Sequence, residues 1–239
     1  MPLPFFYTDD IKITAAEFVL NEETSKHVVQ VLRMQNGEQL SLTDGKGNLF
    51  TAEIIDDNRK KCIVKILLVS TKQASIKKNI IAISLIKNST RFEWFLEKVV
   101  EIGVSEIVPL LCSRTEKQHF RRDRMKSILI SAMLQSQQSW LPQLHEPLKY
   151  SEYIKQIQND THLQKFIAHC EEGDSKDQLN NSILINTTKR LILIGPEGDF
   201  TKEEIAEAVK NNFLPVALGN TRLRTETAGV VAATLLCNH

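Results

Sequence analysis

The sequence predicts an α/β fold in two parts: a small N-terminal β-barrel with one inserted helix, and a larger parallel sheet covered by helices on both faces. Residues 1–70 contain five short runs rich in β-branched and aromatic residues, which are typical of strands. From residue 80 onward, apolar runs of strand length alternate with segments of helical periodicity. Residues 70–79 between them are polar and basic, so we place the boundary between residues 72 and 73.

The first part is predicted from alternating runs and turn residues. The strand-like runs are FFYT, EFVL, QLSLT, NLFTAEII and CIVKILLV. Asn36-Gly37 and Asp44-Gly45 lie between them, and such pairs are typical of hairpin turns. One helix is predicted within SKHVVQVLRM, because Val28, Val31 and Leu32 fall on one helical face.

The second part is predicted from alternation between strands and helices. IIAISLI, EIVPLL, QKFIAHC, LILI and LPVALG have the length and composition of buried strands. RFEWFLEKVVEIG is predicted to be a helix that ends at Gly103, with apolar residues at helical spacing: Phe92, Phe95, Leu96, Val99 and Val100. MKSILISAMLQS also has helical spacing. This alternation indicates a parallel sheet with helices on both faces.

Composition and charge exclude several classes of protein. The 239 residues are 42% hydrophobic and 25% charged, as expected for a globular protein. A net charge of +1 gives no global attraction to nucleic acid or membranes, so a charged partner must meet a local patch. The four cysteines form no C-x-x-C pair and no histidine pattern suggests a metal site. We see no signal peptide and no apolar run long enough to span a bilayer, so we expect a cytoplasmic protein without a metal.

Two glycine turns carry the functional signal. LILIGPEGDF ends a strand in a glycine turn, and Thr201 with Glu204 forms a capping box that predicts a helix from Lys202. LPVALGNTRLRTETAGVV repeats the pattern of strand, glycine turn and helix, with Arg222 and Arg224 in its turn. Ligands bind at the carboxyl edge of such sheets, although glycines that serve turn geometry alone remain an alternative for the first turn.

These two motifs, GPEGDFTKEE and LGNTRLRTETA, closely resemble the signature of the RsmE family. KHVVQVLRM, TDGKG and RFEWFLEKVVEIGVSEIVPLL match other segments of that family. The resemblance implies a SPOUT-class methyltransferase that uses S-adenosylmethionine to methylate N3 of a uridine in 16S ribosomal RNA. It implies a PUA-like RNA-binding barrel at residues 1–72 and a SPOUT domain with a trefoil knot at 73–239. It also implies a homodimer that acts within the small ribosomal subunit.

The resemblance also assigns candidate residues. Those implied to bind the cofactor are His169, Ile194, Gly195, Pro196, Gly198, Leu218, Gly219, Asn220 and Leu223. An arginine near the uracil ring would stabilise the anionic ring that develops during methylation, and Arg224 is our candidate. Glu226 would orient that arginine. The alternatives are an ion-paired surface arginine and a first-turn acid stabilised by the helix dipole. No residue stands out as a general base, although His169 is possible.

A basic segment is the candidate RNA contact. Residues 114–126 carry six basic and two acidic side chains, with His119 and Phe120 among them. The basic residues are Arg114, Lys117, Arg121, Arg122, Arg124 and Lys126. Basic side chains bind phosphate and an aromatic ring can stack on a base, so we expect this segment and Arg222 to bind RNA. A solvated loop is the alternative interpretation.

The sequence departs from the family pattern at several positions. Asp199 stands where the family usually has glycine, and residues 220–222 are Asn, Thr and Arg in place of Pro, Arg and Ile. Residues 135–138 read Gln-Ser-Gln-Gln, so the family's arginine at that point is absent. Two other functions therefore stay open: methylation of a different RNA, and RNA binding in ribosome assembly without catalysis.

Overall fold

The computed structural model describes residues 3–116, 119–171, 176–184 and 186–239. The chain forms two compact units. The first contains Met1–Ala74 and Met133–Leu141, and the second contains Ser75–Ala132 and Pro142–His239. The sequence predicts one boundary, between residues 72 and 73. In the structure, the chain leaves the first unit after Ala74 and returns to it at Met133–Leu141.

The first unit is built on a five-stranded sheet with the order β1-β3-β4-β5-β2. Its strands are β1 (Phe5–Tyr7), β2 (Glu17–Val19), β3 (Gln39–Thr43), β4 (Asn48–Asp56) and β5 (Ile63–Thr71). Each of the five predicted runs is therefore a strand. The Asp44-Gly45 turn joins the antiparallel strands β3 and β4, as predicted. Alternate residues of these strands, such as Leu40, Leu42 and Phe50, form a core from which water is excluded.

The predicted helix in this unit begins earlier and has a different buried face. α1 (Glu22–Lys26) leads directly into a π-helical turn (His27–Val31). Val28 is fully buried, but Val31 and Leu32 are 68% and 43% exposed, so the predicted apolar face was wrong for these two residues. The wider π turn breaks the 3.6-residue spacing on which the prediction depended. Because this helical segment precedes Asn36-Gly37, that pair leads into β3 and makes no hairpin.

The segment Met133–Leu141 completes the first unit. Within it, Trp140 donates a hydrogen bond from Nε1 to the carbonyl of Lys72 (3.0 Å), and Ser139 accepts one from the N–H of Gly47 (2.8 Å). A Cβ added to Gly47 would lie 2.5 Å from the Trp140 ring. Gly47 also has φ +92°, a conformation that favours glycine. Only glycine therefore lets the indole ring lie on this turn.

The second unit contains an eight-stranded sheet whose described pairings are all parallel. The strand order is β11-β13-β10-β12-β6-β7-β8, with β9 paired to β7. The strands are β6 (Lys78–Ser84), β7 (Glu106–Leu111), β8 (Gln143–Leu144), β9 (Leu148–Lys149), β10 (Leu163–Ala168), β11 (Asp177–Gln178), β12 (Lys189–Ile194) and β13 (Leu214–Ala217). The predicted parallel sheet is confirmed, and β6 and β12 are buried over nearly their whole length.

The helices of the remaining chain are α2 (Ser89–Ile102), α3 (Arg122–Gln135), α4 (Tyr150–Ile157), α5 (Leu179–Ser182), α6 (Lys202–Lys210) and α7 (Thr225–Cys237). The five apolar residues predicted for the buried face of α2 are its buried residues, and Gly103 ends the helix at φ +97°. α6 begins at Lys202 with both bonds of the predicted capping box. No helix in the described ranges is long and apolar enough to cross a membrane.

α7 packs closely against α2 and β6 of its own unit and is fixed near its C-terminal end. A Cβ added to Gly229 would lie 2.5 Å from the ring of Phe95 on α2 and 2.9 Å from Ile83 on β6. At the other end of α7, the fully buried Arg190 donates to the carbonyls of Leu236 (3.1 Å) and His239 (3.0 Å). α7 therefore holds the residues at its N-terminus in a defined place above the sheet.

Candidate active site

A cavity of about 930 Å³ opens at the carboxyl ends of β10, β12 and β13. This volume is within the range of about 300–1,000 Å³ that small-molecule sites occupy. The wall combines the chain after each of these three strands with the first turn of α7. The position agrees with the general location of ligand sites in open α/β sheets.

Most of the residues predicted to bind a cofactor line this cavity. They are His169, Ile194, Gly195, Pro196, Leu218, Gly219, Asn220 and Leu223. Gly198 is not among the lining residues. A Cβ added to Gly198 would lie 3.3 Å from Cδ of Arg114, so the close neighbour of this glycine is a side chain of the protein.

The first turn is held by hydrogen bonds from the chain around it. The carboxylate of Glu197 accepts from the N–H of Lys87 (2.9 Å). Arg114 donates to the carbonyls of Gly198 (2.6 Å) and Phe200 (3.3 Å). These bonds attach the turn after β12 to segments that follow β6 and β7. The turn is therefore held in place by the chain around it.

Asp199 explains one departure from the family pattern. Its backbone has φ +63°, a left-handed conformation that glycine adopts most readily and that Asp tolerates better than most residues. Its carboxylate accepts from the N–H of Cys170 (2.7 Å) and from its neighbour Phe200 (2.8 Å). Asp199 therefore keeps the glycine-like conformation and adds a link between the two cavity walls.

The second turn leads to three charged residues that line the cavity. Gly219 has φ +137°, and its turn leads to Arg222 and Arg224, which are both exposed. Among the described residues, neither arginine has a carboxylate within ion-pairing distance. Glu226, in the first turn of α7, is buried and lies 3.6 Å from Nε of Arg91. The residue that Glu226 contacts is thus Arg91, and the predicted contact with Arg224 is absent from the described structure.

Arg91 was not singled out in the sequence. It lies in the first turn of α2 and lines the cavity. A basic residue there opposes the helix dipole, and this conflict was the available signal.

The predicted RNA-binding arginines divide into two groups. Arg114 is bonded to the first turn, Arg122 pairs with Glu146, and Arg124 makes two bonds to Glu93 of 2.6 and 2.7 Å. Arg121 and Arg222 are exposed and have no ion pair in the described part of the chain. Phe120 packs edge-on against Phe92 at 6.3 Å. Lys117 lies outside the described residues.

The cavity residues fit S-adenosylmethionine chemically. Gly195 and Pro196 are buried at the end of β12, and a Cβ added to Gly195 would lie 3.1 Å from the ring of Phe200, so this glycine makes room for the ring of Phe200 beside the cavity. Ile194, Leu218 and Leu223 supply apolar surface for a flat base. Charged residues lie on the same wall for the polar end of a ligand. No group of three or more His, Cys, Asp or Glu among the described residues could hold a metal ion.

Comparison with known proteins places the chain in a family. Residues 72–237 match the RNA methyltransferase domain, and residues 20–67 match the RNA methyltransferase PUA domain. Ribosomal RNA small subunit methyltransferase E from Buchnera aphidicola is 29% identical, over 98% of this chain and 92% of the relative.

Two solved structures are similar over nearly the whole chain. A probable rRNA-methyltransferase from Porphyromonas gingivalis is 38% identical with a TM-score of 0.87, covering 97% of this chain and 95% of the other. Ribosomal RNA small subunit methyltransferase E from Neisseria gonorrhoeae, bound to S-adenosyl methionine, is 27% identical with a TM-score of 0.85 and the same coverage. This chain therefore belongs to the RNA methyltransferase domain family and, within it, to the RsmE family.

Proposed function

We propose that this protein transfers a methyl group from S-adenosylmethionine to N3 of a uridine in 16S ribosomal RNA of the small ribosomal subunit. The observation that carries the proposal is the cavity between two glycine turns, with arginines on the turn that leads to α7. The relatives support the substrate class, since they are named ribosomal RNA small subunit methyltransferases. The Neisseria structure supports the cofactor.

The chain would hold the cofactor through its strand ends and glycine turns. Gly195 and Pro196 would offer backbone groups on one side, and Leu218 with Leu223 would hold the adenine on the other. When bound, S-adenosylmethionine supplies an electrophilic methyl group on a sulfonium sulfur. The walls of the cavity would orient the target base toward that methyl. Orientation of this kind can account for a large part of a rate enhancement.

The cationic residues of the second turn would act on the RNA. Arg224 is exposed on the cavity wall and has no ion pair among the described residues, so its guanidinium is available to donate to the uracil ring. Such a donor stabilises negative charge as the ring loses its N3 proton. Arg222 would contact phosphate. We propose that the PUA-like first unit and the exposed Arg121 position the RNA.

We propose that the C-terminal segment is threaded as a trefoil knot, supported by the path of α7, which leaves β13 and packs on α2, β6 and β12. A chain trace in which α7 can be withdrawn without crossing a loop would refute the knot. We also propose a homodimer, which sedimentation at micromolar concentration tests, and a cytoplasmic location.

The decisive experiment has two measurements. Calorimetric titration should show S-adenosylmethionine binding, and incubation with small ribosomal subunits should form N3-methyluridine, mapped by mass spectrometry in the 16S RNA. Methylation of a different RNA would favour another SPOUT activity. Cofactor binding without methylation of any RNA, in subunits or free, would favour an assembly factor without catalysis.

A further inference from the structure

Arg91 and Glu226 form a pair inside the cavity. Both residues line its wall, and Nε of Arg91 lies 3.6 Å from Oε1 of Glu226. Arg91 comes from the first turn of α2, and Glu226 comes from the first turn of α7. The pair therefore joins two helix N-termini at the place where substrate and cofactor would meet.

Glu226 needs a cation. Its side chain is only 8% exposed, and Oε2 has no hydrogen-bond partner in the part of the chain that the structure describes. A buried carboxylate without a partner is costly, so a neighbouring cation is strongly held. Of the described cations, Arg91 alone is within ion-pairing distance of Glu226. Glu226 therefore restrains the guanidinium of Arg91 over the cavity.

The other carboxylates on the wall differ from Glu226. Both oxygens of Asp199 accept backbone N–H groups. Glu197 is exposed, and its carboxylate accepts from Lys87. These two acids hold backbone in place. Glu226 is thus the wall carboxylate placed to orient a cationic side chain.

Helix stability alone does not account for Arg91. α2 is capped by Asn88, and its first turn contains Arg91 and no acidic residue. A cation at this position opposes the helix dipole. Local rules of this kind are most often broken at functional sites. Arg91 remains 43% exposed, so donors of its guanidinium that do not face Glu226 are open to a ligand.

We infer, resting on the proposed function, that Arg91 is a further catalytic residue that donates to a uracil carbonyl oxygen as N3 is methylated. Glu226 is the positioning residue of Arg91. This assignment differs from the sequence prediction, in which Glu226 orients Arg224.

The chemistry of the base explains why two arginines are useful. The N3 proton leaves to water, and the negative charge spreads over N3 and the two flanking oxygens, O2 and O4. The new bond joins N3 to the methyl carbon, and the bond from that carbon to sulfur breaks with its electron pair returning to sulfur. Arg91 and Arg224 would each stabilise one oxygen. A planar, oriented guanidinium suits this task better than a flexible ammonium.

Single-turnover rates with saturating RNA and cofactor test the inference. Arg91→Ala should slow methylation about 10²–10³-fold, as loss of a transition-state donor does. Arg91→Lys should recover part of that rate. Glu226→Gln should slow the reaction about 10–100-fold through misplacement. The Arg91→Ala/Glu226→Gln double variant should be no slower than Arg91→Ala, whereas Arg224→Ala/Glu226→Gln should show the product of its two single effects.

The readouts separate catalysis from support of the fold. Cofactor affinity and the melting temperature should change little in the double variant, because it removes both the buried charge and its partner. Two matched controls should keep the wild-type rate. Glu203→Gln changes the acid at the same helix position of α6, outside the cavity lining, and is the control for Glu226→Gln. Lys98→Ala removes a cation farther along α2 and is the control for Arg91→Ala.

Three results would overturn the inference. One is a wild-type rate for Arg91→Ala. Another is coupling of Glu226 to Arg224 without coupling to Arg91. The third is a loss confined to RNA affinity. The proposed function is tested separately, with the wild-type protein alone. If that protein forms no N3-methyluridine, both the proposed function and this inference are overturned.

Discussion

Asp199 offers a quantitative test of how the first turn is built. Two demands meet at this residue: a backbone at φ +63° and a carboxylate that accepts from the N–H groups of Cys170 and Phe200. Substitution by Ala removes the two hydrogen bonds and keeps a Cβ, which is strained in this left-handed conformation. Substitution by Gly also removes the two hydrogen bonds, but it removes the strain of the left-handed conformation as well. Substitution by Asn keeps a residue that tolerates this conformation, with one acceptor oxygen in place of two.

The expected losses of unfolding free energy follow from these differences. A hydrogen bond to a charged group contributes about 1.5–3 kcal/mol, and the lower value applies because these bonds are partly exposed, so Asp199→Ala should lose about 3 kcal/mol. Gly avoids a left-handed strain of about 1–2 kcal/mol but adds about 0.4–1 kcal/mol of unfolded-state entropy, so Asp199→Gly should be about 0.5–1 kcal/mol more stable than Asp199→Ala. Asp199→Asn should lose about 1–2 kcal/mol.

Thermal unfolding and calorimetry check this order. At about 2–4 °C per kcal/mol, Asp199→Ala should melt about 6–12 °C below the wild type. Because Asp199 links two walls of the cavity, Asp199→Ala should also weaken S-adenosylmethionine binding by about tenfold, or ~1.4 kcal/mol. Asp57→Ala, at an exposed acid, is the control and should stay within about 0.5 kcal/mol. A wild-type melting temperature for Asp199→Ala, or a Gly variant less stable than the Ala variant, would refute the reasoning.

The remaining predictions concern catalysis, thiol reactivity and pH. Arg224→Ala should slow single-turnover methylation about a hundredfold with cofactor affinity little changed, while Arg222→Ala should weaken RNA binding in a salt-dependent way; the reverse assignment of the two effects would refute the prediction. Cys170 is exposed on the cavity wall and should be the first cysteine labelled by a thiol reagent, more slowly with cofactor bound, as peptide mass spectrometry will show; equal labelling of the buried cysteines would contradict this. The hydrogen bond from Lys189 lowers the pKa of Asp160, so this bond stabilises the fold above the unfolded pKa of about 3.9 and the effect is lost as pH falls through the folded value. Asp160→Asn should therefore lose at most about 1 kcal/mol at neutral pH, since the pair is partly exposed, and this loss should shrink in urea unfolding as the pH is lowered through the unfolded pKa toward the folded one.

Burial also separates the cysteines in reactivity. It raises the pKa of the Cys62 thiol to about 11 and that of Cys112 to about 12. Both thiols therefore stay protonated at neutral pH, and the thiolate is the form that reacts. The difference between these residues and Cys170 was not visible in the sequence, where all four cysteines look equivalent.

Local patterns were sufficient for much of the fold. The buried face of α2, the capping box of α6, the five strands of the first unit and the five longer strands of the second are encoded within a few residues, and the sequence predicted them. The two-residue strands β8, β9 and β11 were not predicted, because so short a run carries no alternating pattern. The π-helical turn at His27–Val31 was missed because its spacing differs from the helical period used to read the pattern.

The sequence predicted the cavity lining at the two glycine turns and at His169. Both glycine turns line the cavity, except Gly198; in the first turn, Gly198 lies against the side chain of Arg114 and Gly195 against that of Phe200. A glycine that permits close approach does not reveal whether a ligand or the protein itself approaches. The pairing of Arg91 with Glu226 joins residues far apart in the chain. Such a contact depends on the packing of α7 against α2, which no local pattern encodes.

The indole of Trp140 on Gly47 bears on how far the first unit is a transferable module. A gene fragment that ends at residue 74 encodes all five strands but omits the indole that covers Gly47 and bonds to the carbonyl of Lys72. Recombination at a single junction would therefore leave an uncovered turn on the first unit and would leave Trp140 on the other fragment without its contact. Exchange of this unit between enzymes would need a separate insertion of the segment Met133–Leu141, which should be inherited together with the strands that it covers.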